Sequence, residues 1–252
     1  MATVSELSAP YENHLRAVLP AGDEVCPVCH TFLTGGYALC YQCNEARRWL
    51  PFTADAVNFV ALAVKGEQLA RELWVYKNGT TAGAGRIRLG LSAVLWKALA
   101  QHENCLARAA GAEEFPVVTM VPSTKGRLSH PLEEMLGTVI GATSGRYRTM
   151  LRPRPDDTGE REFDAERFEL IDEVDEGAPV LLVDDTYTTG SRVQCAAAAL
   201  KAAGSGPVGV LCIGRHFSRE QTGEIYRRAA DRYYKESRAL GWSWDRCCLC
   251  TP

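Results

Sequence analysis

Residues 180–191 read VLLVDDTYTTGS: four apolar residues run into two adjacent aspartates, and hydroxyl side chains with a glycine follow. The apolar run at 180–183 predicts a buried strand of a parallel sheet, which would place Asp184 and Asp185 at its carboxyl end. In open parallel sheets, ligands bind beyond the carboxyl ends of the strands, where the next helix begins. We therefore expect a ligand site at this point of the chain.

The loop that follows the aspartates has the composition of an anion site. Backbone N–H groups at the start of the next helix attract anions, and Thr188, Thr189 and Ser191 add hydroxyl groups. Gly190 would let the backbone approach a phosphate closely. Two carboxylates beside such a loop are suited to grip ribose hydroxyls or a metal ion. The alternative is a simple strand, turn and helix in which the aspartates only cap the helix.

The rest of the chain predicts alternating strands and helices. Continuous apolar strands that alternate with helices indicate an α/β fold with an open, mainly parallel sheet covered by helices on both faces. A short helix is also expected within 11–19. Strands are predicted at 57–64, 115–121, 180–183 and 208–213, and helices at 67–76, 87–110, 131–140, 189–203 and 218–237.

The overall composition shows no strong charge bias. Of 252 residues, 46% are hydrophobic, and 28 basic against 31 acidic residues give a net charge of −3, so no global field would attract nucleic acid. The first residues show no secretory signal pattern, and the apolar stretch at 56–64 is far shorter than the ~20 residues of a membrane span. We expect a cytoplasmic protein that does not enter a membrane.

Four cysteines near the N-terminus have the spacing of a zinc site. Cys26, Cys29, Cys40 and Cys43 follow the pattern C-x2-C-x10-C-x2-C, in which paired thiolates wrap one ion tetrahedrally. Because protein ligands fill all four positions, the site would be structural rather than catalytic. The intervening residues are hairpin-like, with a Gly-Gly turn at 35–36. A disulfide pair or uncommitted thiols are the alternatives, and both are less common in a reducing compartment.

The strand, the acidic pair and the Thr-Thr-Gly-Ser loop together resemble the type I phosphoribosyltransferases, which bind phosphoribosyl pyrophosphate (PRPP) with Mg²⁺. The resemblance implies that Asp184 and Asp185 bind the ribose hydroxyls and act in catalysis, while the loop holds the 5′-phosphate. The PRPP contacts that it implies in this segment are Asp184, Asp185, Thr186, Thr188, Thr189, Gly190 and Ser191.

Two positions depart from the family pattern. Thr188 stands where the 6-oxopurine salvage members carry an acid/base aspartate, which argues against hypoxanthine–guanine salvage. Arg192 stands where a hydroxyl residue is common, and it either adds charge to the phosphate site or faces solvent.

Two further segments resemble parts of this family. The sequence VPSTKGR at 121–127 resembles the pyrophosphate loop, which implies PRPP contacts at Ser123, Thr124, Lys125, Gly126 and Arg127, with Lys125 as a catalytic cation on the leaving diphosphate. The alternative is an exposed basic turn. The arginine-rich residues 146–167 resemble a mobile hood over PRPP, in which we select Arg152 and Arg154. A solvated loop with compensating charges is the alternative there.

The combination of a four-cysteine element with such a domain narrows the resemblance to the ComF-type family, which is linked in bacteria to DNA uptake. ELWVYKNG at 72–79 also resembles that family. The expected organisation is an N-terminal extension at 1–24, a zinc element at 25–50, a phosphoribosyltransferase-like domain at 51–240 and a Cys/Trp-containing tail at 241–252.

The remaining cysteines and histidines have no assigned chemistry. A packed tail is the favoured interpretation of the C-terminal thiols, because the sequence identifies no fourth ligand for a metal. Metal binding is the alternative. His216 follows a predicted strand and is the histidine that can face the site. The thiols in question are Cys247, Cys248 and Cys250 in the tail, with Cys105, Cys195 and Cys212 expected as core thiols.

The leading interpretation is an enzyme that transfers the 5-phosphoribosyl group of PRPP to an amine or nucleobase and releases diphosphate, with structural Zn²⁺ and substrate-associated Mg²⁺. The alternative is a non-catalytic PRPP- or nucleotide-binding accessory protein with DNA-processing partners. The sequence names no acceptor, and it is compatible with a homodimer without deciding the oligomeric state.

Overall fold

A computed structural model of the chain describes residues 2–123, 130–155 and 162–250. Within these residues the fold is α/β, as predicted, and four strands form one parallel sheet in the order β1–β6–β5–β2, while β3 and β4 form an antiparallel pair. The strands are β1 (Ala56–Val64), β2 (Val117–Met120), β3 (Leu151–Pro153), β4 (Phe168–Leu170), β5 (Val180–Tyr187) and β6 (Val208–Phe217).

Helices follow most of the predicted segments. The chain also has a 3-10 turn at Ala9–Asn13 and a π-type turn at Met135–Val139. The helices are α1 (Val4–Ser8), α2 (Tyr41–Trp49), α3 (Gln68–Asn78), α4 (Ala82–Ala110), α5 (Pro131–Glu134), α6 (Gly141–Ser144), α7 (Ser191–Ala202) and α8 (Glu224–Leu240).

The sheet is covered by helices on both faces, because its strands are apolar on both sides. Along β5, Val180 and Leu182 belong to one core, whereas Leu181 and Val183 belong to the other, as the two-residue period of a strand requires. The first core includes α7 and the cysteine-rich segment, and the second includes α3 and α4.

Strand β5 is longer than its apolar run. Its pairing with β2 ends at Met120↔Val183, but its pairing with β6 continues to Tyr187↔Arg215. The two aspartates therefore lie beyond the end of β2 while still inside the ladder with β6. The sequence prediction stopped at Val183 because it followed apolar side chains, whereas backbone pairing decides where a strand ends.

Several predicted boundaries are wrong for identifiable reasons. The helix expected within 11–19 is only the 3-10 turn, since the chain then runs beside β1 and the Leu62 amide donates to the Arg16 carbonyl at 2.8 Å. The helix expected at 131–140 breaks into a short α-helix and the π-type turn. Helix α8 begins at Glu224 rather than 218, because β6 extends to Phe217 and Gly223 has a φ of 91°.

Helix α4 is the longest helix of the described residues, with 29 residues. The side chain of Thr81 caps it by accepting from the Ala84 amide, so it starts five residues before the predicted Ile87. None of the described helices combines the length and the apolar character that crossing a lipid bilayer requires.

Candidate functional site

Asp184 and Asp185 are both buried in the part of strand β5 that continues beyond the end of β2. Their exposed fractions are 3% and 0%, respectively. Two adjacent carboxylates without solvent are costly unless cations and donors compensate them. The surrounding elements supply these partners unequally, which gives the two residues different electrostatic states.

Asp185 has a hydrogen-bond donor and a cation from α3 and a third partner in the residue before α5. Tyr76 Oη donates to Asp185 Oδ2 at 2.6 Å, Lys77 Nζ forms an ion pair with Oδ1, and His130 Nε2 lies 3.7 Å from Oδ2. Burial by itself would raise the pKa of Asp185. The charge and hydrogen bond of Lys77, with that of Tyr76, outweigh burial and hold this pKa below its ordinary value.

Asp184 is less well compensated. Its Oδ1 accepts a hydrogen bond of 2.8 Å from the Asp185 amide, and Arg192 Nη2 lies 3.7 Å from its Oδ2. Burial and then the charge of Asp185 raise the pKa of Asp184 to about 6. Arg192, which the sequence left undecided between the phosphate site and solvent, thus lies beside the acidic pair. A buried carboxylate with a raised pKa is typical of functional sites.

The hydroxyl-rich loop lies between β5 and α7. Gly190, with a φ of 86°, is the residue before the helix, so α7 begins at Ser191 and not at the predicted Thr189. Thr189 Oγ1 accepts from the Ser191 amide at 3.4 Å. Thr188 is exposed and Thr189 is half-buried. The side chains of Thr188 and Thr189 thus lie beside a helix N-terminus, whereas Ser191, the third hydroxyl residue of the prediction, is buried.

Gly190 is required by packing as well as by its backbone angle. A Cβ added at this position would lie 2.1 Å from Tyr187 Oη. Tyr187 is buried, and its ring packs edge-on against Phe59 at a centroid distance of 5.3 Å. The tyrosine ring therefore fixes how closely the loop can approach the sheet.

A buried arginine at the end of β6 supports the same loop. Arg215 donates to the carbonyl oxygens of Thr188 at 3.0 Å and of Tyr187 at 3.3 Å. Its Nε also donates to the carbonyl of Cys29 at 2.8 Å. The guanidinium therefore connects the loop with the cysteine-rich segment. Sequence reasoning missed Arg215, although a cation at the end of an apolar strand was a signal that could have found it.

A cleft of about 1300 Å³ opens between the hydroxyl-rich loop and the cysteine-rich segment. Its lining includes Thr188 and Thr189 from the loop, His216 from β6, and Tyr37 and Tyr41 from the cysteine-rich segment. Burial and the nearby charges of Arg215 and Lys65 lower the pKa of His216. The imidazole is consequently neutral near pH 7 and can accept a proton.

Part of the predicted site lies outside the described residues. This applies to Thr124, Lys125, Gly126 and Arg127 of the predicted pyrophosphate loop, whereas Ser123 is half-buried just beyond β2. The Val121 amide donates to the Val183 carbonyl at 3.0 Å, which brings the start of this loop next to the aspartates. Thr186 is half-buried and pairs with Gly214 on β6.

The two arginines selected for the hood are both exposed and ion-paired. Arg152 on β3 pairs with Glu169 on β4, and Arg154 lies 2.7 Å from Glu166. These contacts match the alternative of compensating surface charges. The segment nevertheless packs on α7, since the Asp164 amide donates to Cys195 Sγ at 3.3 Å, so it lies next to the helix that follows the loop.

The four N-terminal cysteines form one compact group, as predicted. The sulfur atoms of Cys26, Cys29, Cys40 and Cys43 all lie within 4.8 Å of one another, and those of Cys29 and Cys40 are 3.5 Å apart. These distances are too long for a disulfide and fit a tetrahedral thiolate site. The group can therefore hold a zinc ion.

The surroundings of this group differ from the prediction in one respect. Gly35 and Gly36 form a turn with positive φ, but the described residues 30–39 contain no strand and hence no hairpin. Within this segment Phe32 forms an isolated bridge with Val25, which precedes the first cysteine. His30, adjacent to Cys29, is not part of the group, and its Nδ1 donates to the Leu19 carbonyl at 3.0 Å.

Sequence reasoning also missed the partners of the acidic pair and misassigned one cysteine. Tyr76 and Lys77 were noticed only as part of a family-like segment, and His130 was left without a role. Cys105 is not a core thiol as expected, because it is half-exposed and lies 3.7 Å from Cys250 Sγ. Cys195 and Cys212 are fully buried, as predicted.

Neither a protein-family model nor a curated protein sequence gives a significant match to the chain.

Proposed function

We propose that this chain is a phosphoribosyltransferase-like protein of ComF type that binds PRPP with Mg²⁺ and transfers its 5-phosphoribosyl group to an amine or nucleobase. The observation that carries the proposal is the pair Asp184–Asp185, buried beside a hydroxyl-rich loop at a helix N-terminus. Such a pair serves a ligand that carries both a phosphate and neighbouring hydroxyl groups.

Each part of the site has a role in this reaction. The loop at 188–191 binds the 5′-phosphate through backbone amides and hydroxyl groups. Asp184 accepts hydrogen bonds from ribose hydroxyls. Asp185, held in place by Tyr76 and Lys77, orients the same edge of the ribose. The anionic pair also stabilises the positive charge that develops at the anomeric carbon as diphosphate leaves.

The reaction balances with groups on this chain. The acceptor nitrogen forms the new bond to the anomeric carbon, and the carbon–oxygen bond breaks with its electron pair on diphosphate. The proton lost by the acceptor goes to a base, for which neutral His216 in the adjoining cleft is our choice. Mg²⁺, bound with PRPP, supplies charge neutralisation on the diphosphate. Lys125 is proposed to add a cation there.

The four-cysteine group is proposed to hold structural Zn²⁺. Arg215 compensates its negative charge from the buried side, with Nη2 at 3.6 Å from Cys29 Sγ. Because the same guanidinium holds the carbonyl of Thr188, metal binding would stabilise the phosphate loop as well as the cysteine-rich segment.

A non-catalytic accessory role, with PRPP or a nucleotide bound but not turned over, is the second candidate. It is favoured by the contacts that Tyr76 and Lys77 already make with Asp185. It is also favoured by Thr188, which stands where the 6-oxopurine salvage members carry a catalytic aspartate. DNA-processing partners would belong to this alternative.

Release of diphosphate from PRPP with Mg²⁺, measured over a panel of nucleobases and amines, separates the two. An enzyme gives acceptor-dependent release of diphosphate. Lys125→Ala and His216→Gln should each reduce the rate of this release by at least about tenfold, because they remove the leaving-group cation and the general base. Asp231→Asn, at a half-exposed aspartate on α8 that pairs with Arg219, is the matched control and retains activity. Saturable PRPP binding without release for any acceptor would support the accessory role, whereas no PRPP binding would contradict both.

A further inference from the structure

Two distant segments of the chain bring together a second group of metal-ligating side chains. His102 and Cys105 lie one turn apart on α4, and Cys247 and Cys250 lie in the tail after α8. One ligand atom from each of these residues lies within 4.8 Å of all the others. The group is separate from the PRPP-type site and shares no residue with the N-terminal cysteine group.

The distances within this group are those of a tetrahedral metal site. With Zn–S and Zn–N bonds of about 2.3 and 2.05 Å, the edges of the tetrahedron are about 3.8 Å between sulfurs and about 3.6 Å between sulfur and nitrogen. Sulfur–sulfur distances here are 3.2 Å for Cys247–Cys250 and 3.7 Å for Cys105–Cys250. His102 Nδ1 lies 3.6 Å from Cys250 Sγ and 3.9 Å from Cys105 Sγ.

The ring of His102 is oriented as a ligand. Its Nε2 lies 2.6 Å from the carbonyl oxygen of Trp244, which can only accept, so Nε2 carries the proton. Nδ1 of the neutral ring then has a free lone pair, and this atom faces the thiols of Cys105 and Cys250. A metal-bound histidine is commonly held in this way, with its other nitrogen donating to a backbone carbonyl.

The tail supplies the local geometry of a metal knuckle. Cys247 and Cys250 have the two-residue spacer of paired zinc ligands, and the Cys247 amide donates to Cys250 Sγ at 3.3 Å. Cys248, between them, is buried, and its thiol donates to Asn58 at 3.2 Å. The thiols of Cys247 and Cys250 thus lie with His102 and Cys105, whereas the thiol of Cys248 lies against Asn58. Burial of an apolar tail would not by itself require this arrangement.

From this geometry we infer a second structural Zn²⁺ site, formed by His102, Cys105, Cys247 and Cys250, that clamps the C-terminal tail onto α4. Three thiolates and an imidazole fill all four positions, so the site has no place for a substrate. The clamp holds the tail against β1, where Trp242 Nε1 donates to the Val60 carbonyl at 2.8 Å. The metal would fix the C-terminal tail against β1, which is an edge strand of the sheet.

The test begins with metal analysis of the full chain, purified under reducing conditions with zinc supplied. Wild type is expected to contain two zinc ions per chain, and Cys250→Ser is expected to lose one of them. Cys248→Ala removes the neighbouring thiol of the same tail and is expected to keep both. Absence of zinc from wild type, or a zinc content that the double variant Cys105→Ser/Cys250→Ser leaves unchanged, would overturn the inference.

X-ray absorption at the zinc edge tests the same site without any variant. Sites with four cysteines and with three cysteines and one histidine together give seven sulfur ligands to one nitrogen. If only the C-terminal site binds zinc, the ratio becomes three to one. A shell of sulfur alone would contradict the second site, even where a tail variant fails to fold.

Discussion

Arg215 Nε donates a hydrogen bond of 2.8 Å to the carbonyl of Cys29, and through this contact one buried guanidinium links the cysteine group to the hydroxyl-rich loop. Arg215 also donates to the carbonyls of Thr188 and His216 at 3.0 and 2.8 Å. The residue is 7% exposed, so water cannot replace these bonds. The two regions should therefore respond together when either is disturbed.

Replacing this arginine should destabilise both regions. Arg215→Met leaves buried carbonyls without donors, and we expect the free energy of unfolding to fall on the order of 3 kcal/mol. Zinc should also dissociate more readily to a chelator, and PRPP should bind more weakly. Arg219→Met, an exposed arginine paired with Asp231, is the control and should change none of these quantities. Unchanged chelator sensitivity in Arg215→Met would contradict the link.

Removing the carboxylate of Asp184 should stabilise the protein at neutral pH. The folded-state pKa of about 6 exceeds the ordinary value, so the folded state binds the extra proton between about pH 4 and about pH 6, and stability falls as pH rises through this window. Asp184→Asn should be more stable than wild type by about 2–3 kcal/mol near neutral pH and similar to it below about pH 4. Urea unfolding at the two pH values checks this.

The partner aspartate should behave in the opposite way. Because Lys77 holds the pKa of Asp185 low, the ion pair contributes stability above the ordinary carboxyl pKa, and this contribution disappears as pH falls through the folded-state pKa. Lys77→Met should lower the free energy of unfolding by about 3–5 kcal/mol at neutral pH. Adding Asp185→Asn should recover a large part of that loss. Simple additivity of the two substitutions would show that the pair is not coupled.

The loop glycine has a matched control just beyond the other end of α7. Gly190→Ala places a Cβ 2.1 Å from Tyr187 Oη at a φ of 86°, whereas Gly204 has a φ of 96° with nothing within 4 Å. Both alanine variants should lose about 1–3 kcal/mol from backbone strain. Gly190→Ala should in addition lose PRPP binding, because the loop must move. Equal PRPP affinity in the two variants would contradict a phosphate role for this loop.

The sequence was sufficient for those features that short local patterns encode. Apolar runs located all four strands of the parallel sheet, and paired CxxC spacings located the N-terminal cysteine group, because each depends on neighbours in the chain. The TTGS residues also marked the turn between β5 and α7. Strand β5 was predicted too short because its last residues are paired through backbone atoms that side-chain patterns do not report.

Tertiary contacts decided what the sequence could not show. Asp185 meets Tyr76 across 109 positions, and Arg215 meets Cys29 across 186, so no local pattern could pair them. The two partners that α4 provides for the C-terminal thiols were missing from sequence reasoning for the same reason. His102 and Cys105 lie on a helix whose apolar stripe explained the segment without them, and only the folded chain brings Cys250 to that helix.

The most direct test of the proposed site is calorimetric titration of PRPP in the presence of Mg²⁺ into wild type, Asp184→Asn and Asp231→Asn. Wild type and Asp231→Asn should bind with equal affinity. Asp184→Asn should bind about 1–3 kcal/mol more weakly, the loss expected for a charge-assisted hydrogen bond to a ribose hydroxyl. Because this variant should be the more stable protein near neutral pH, weaker binding cannot come from unfolding. Absence of saturable PRPP binding by folded, zinc-replete wild type would contradict the proposal.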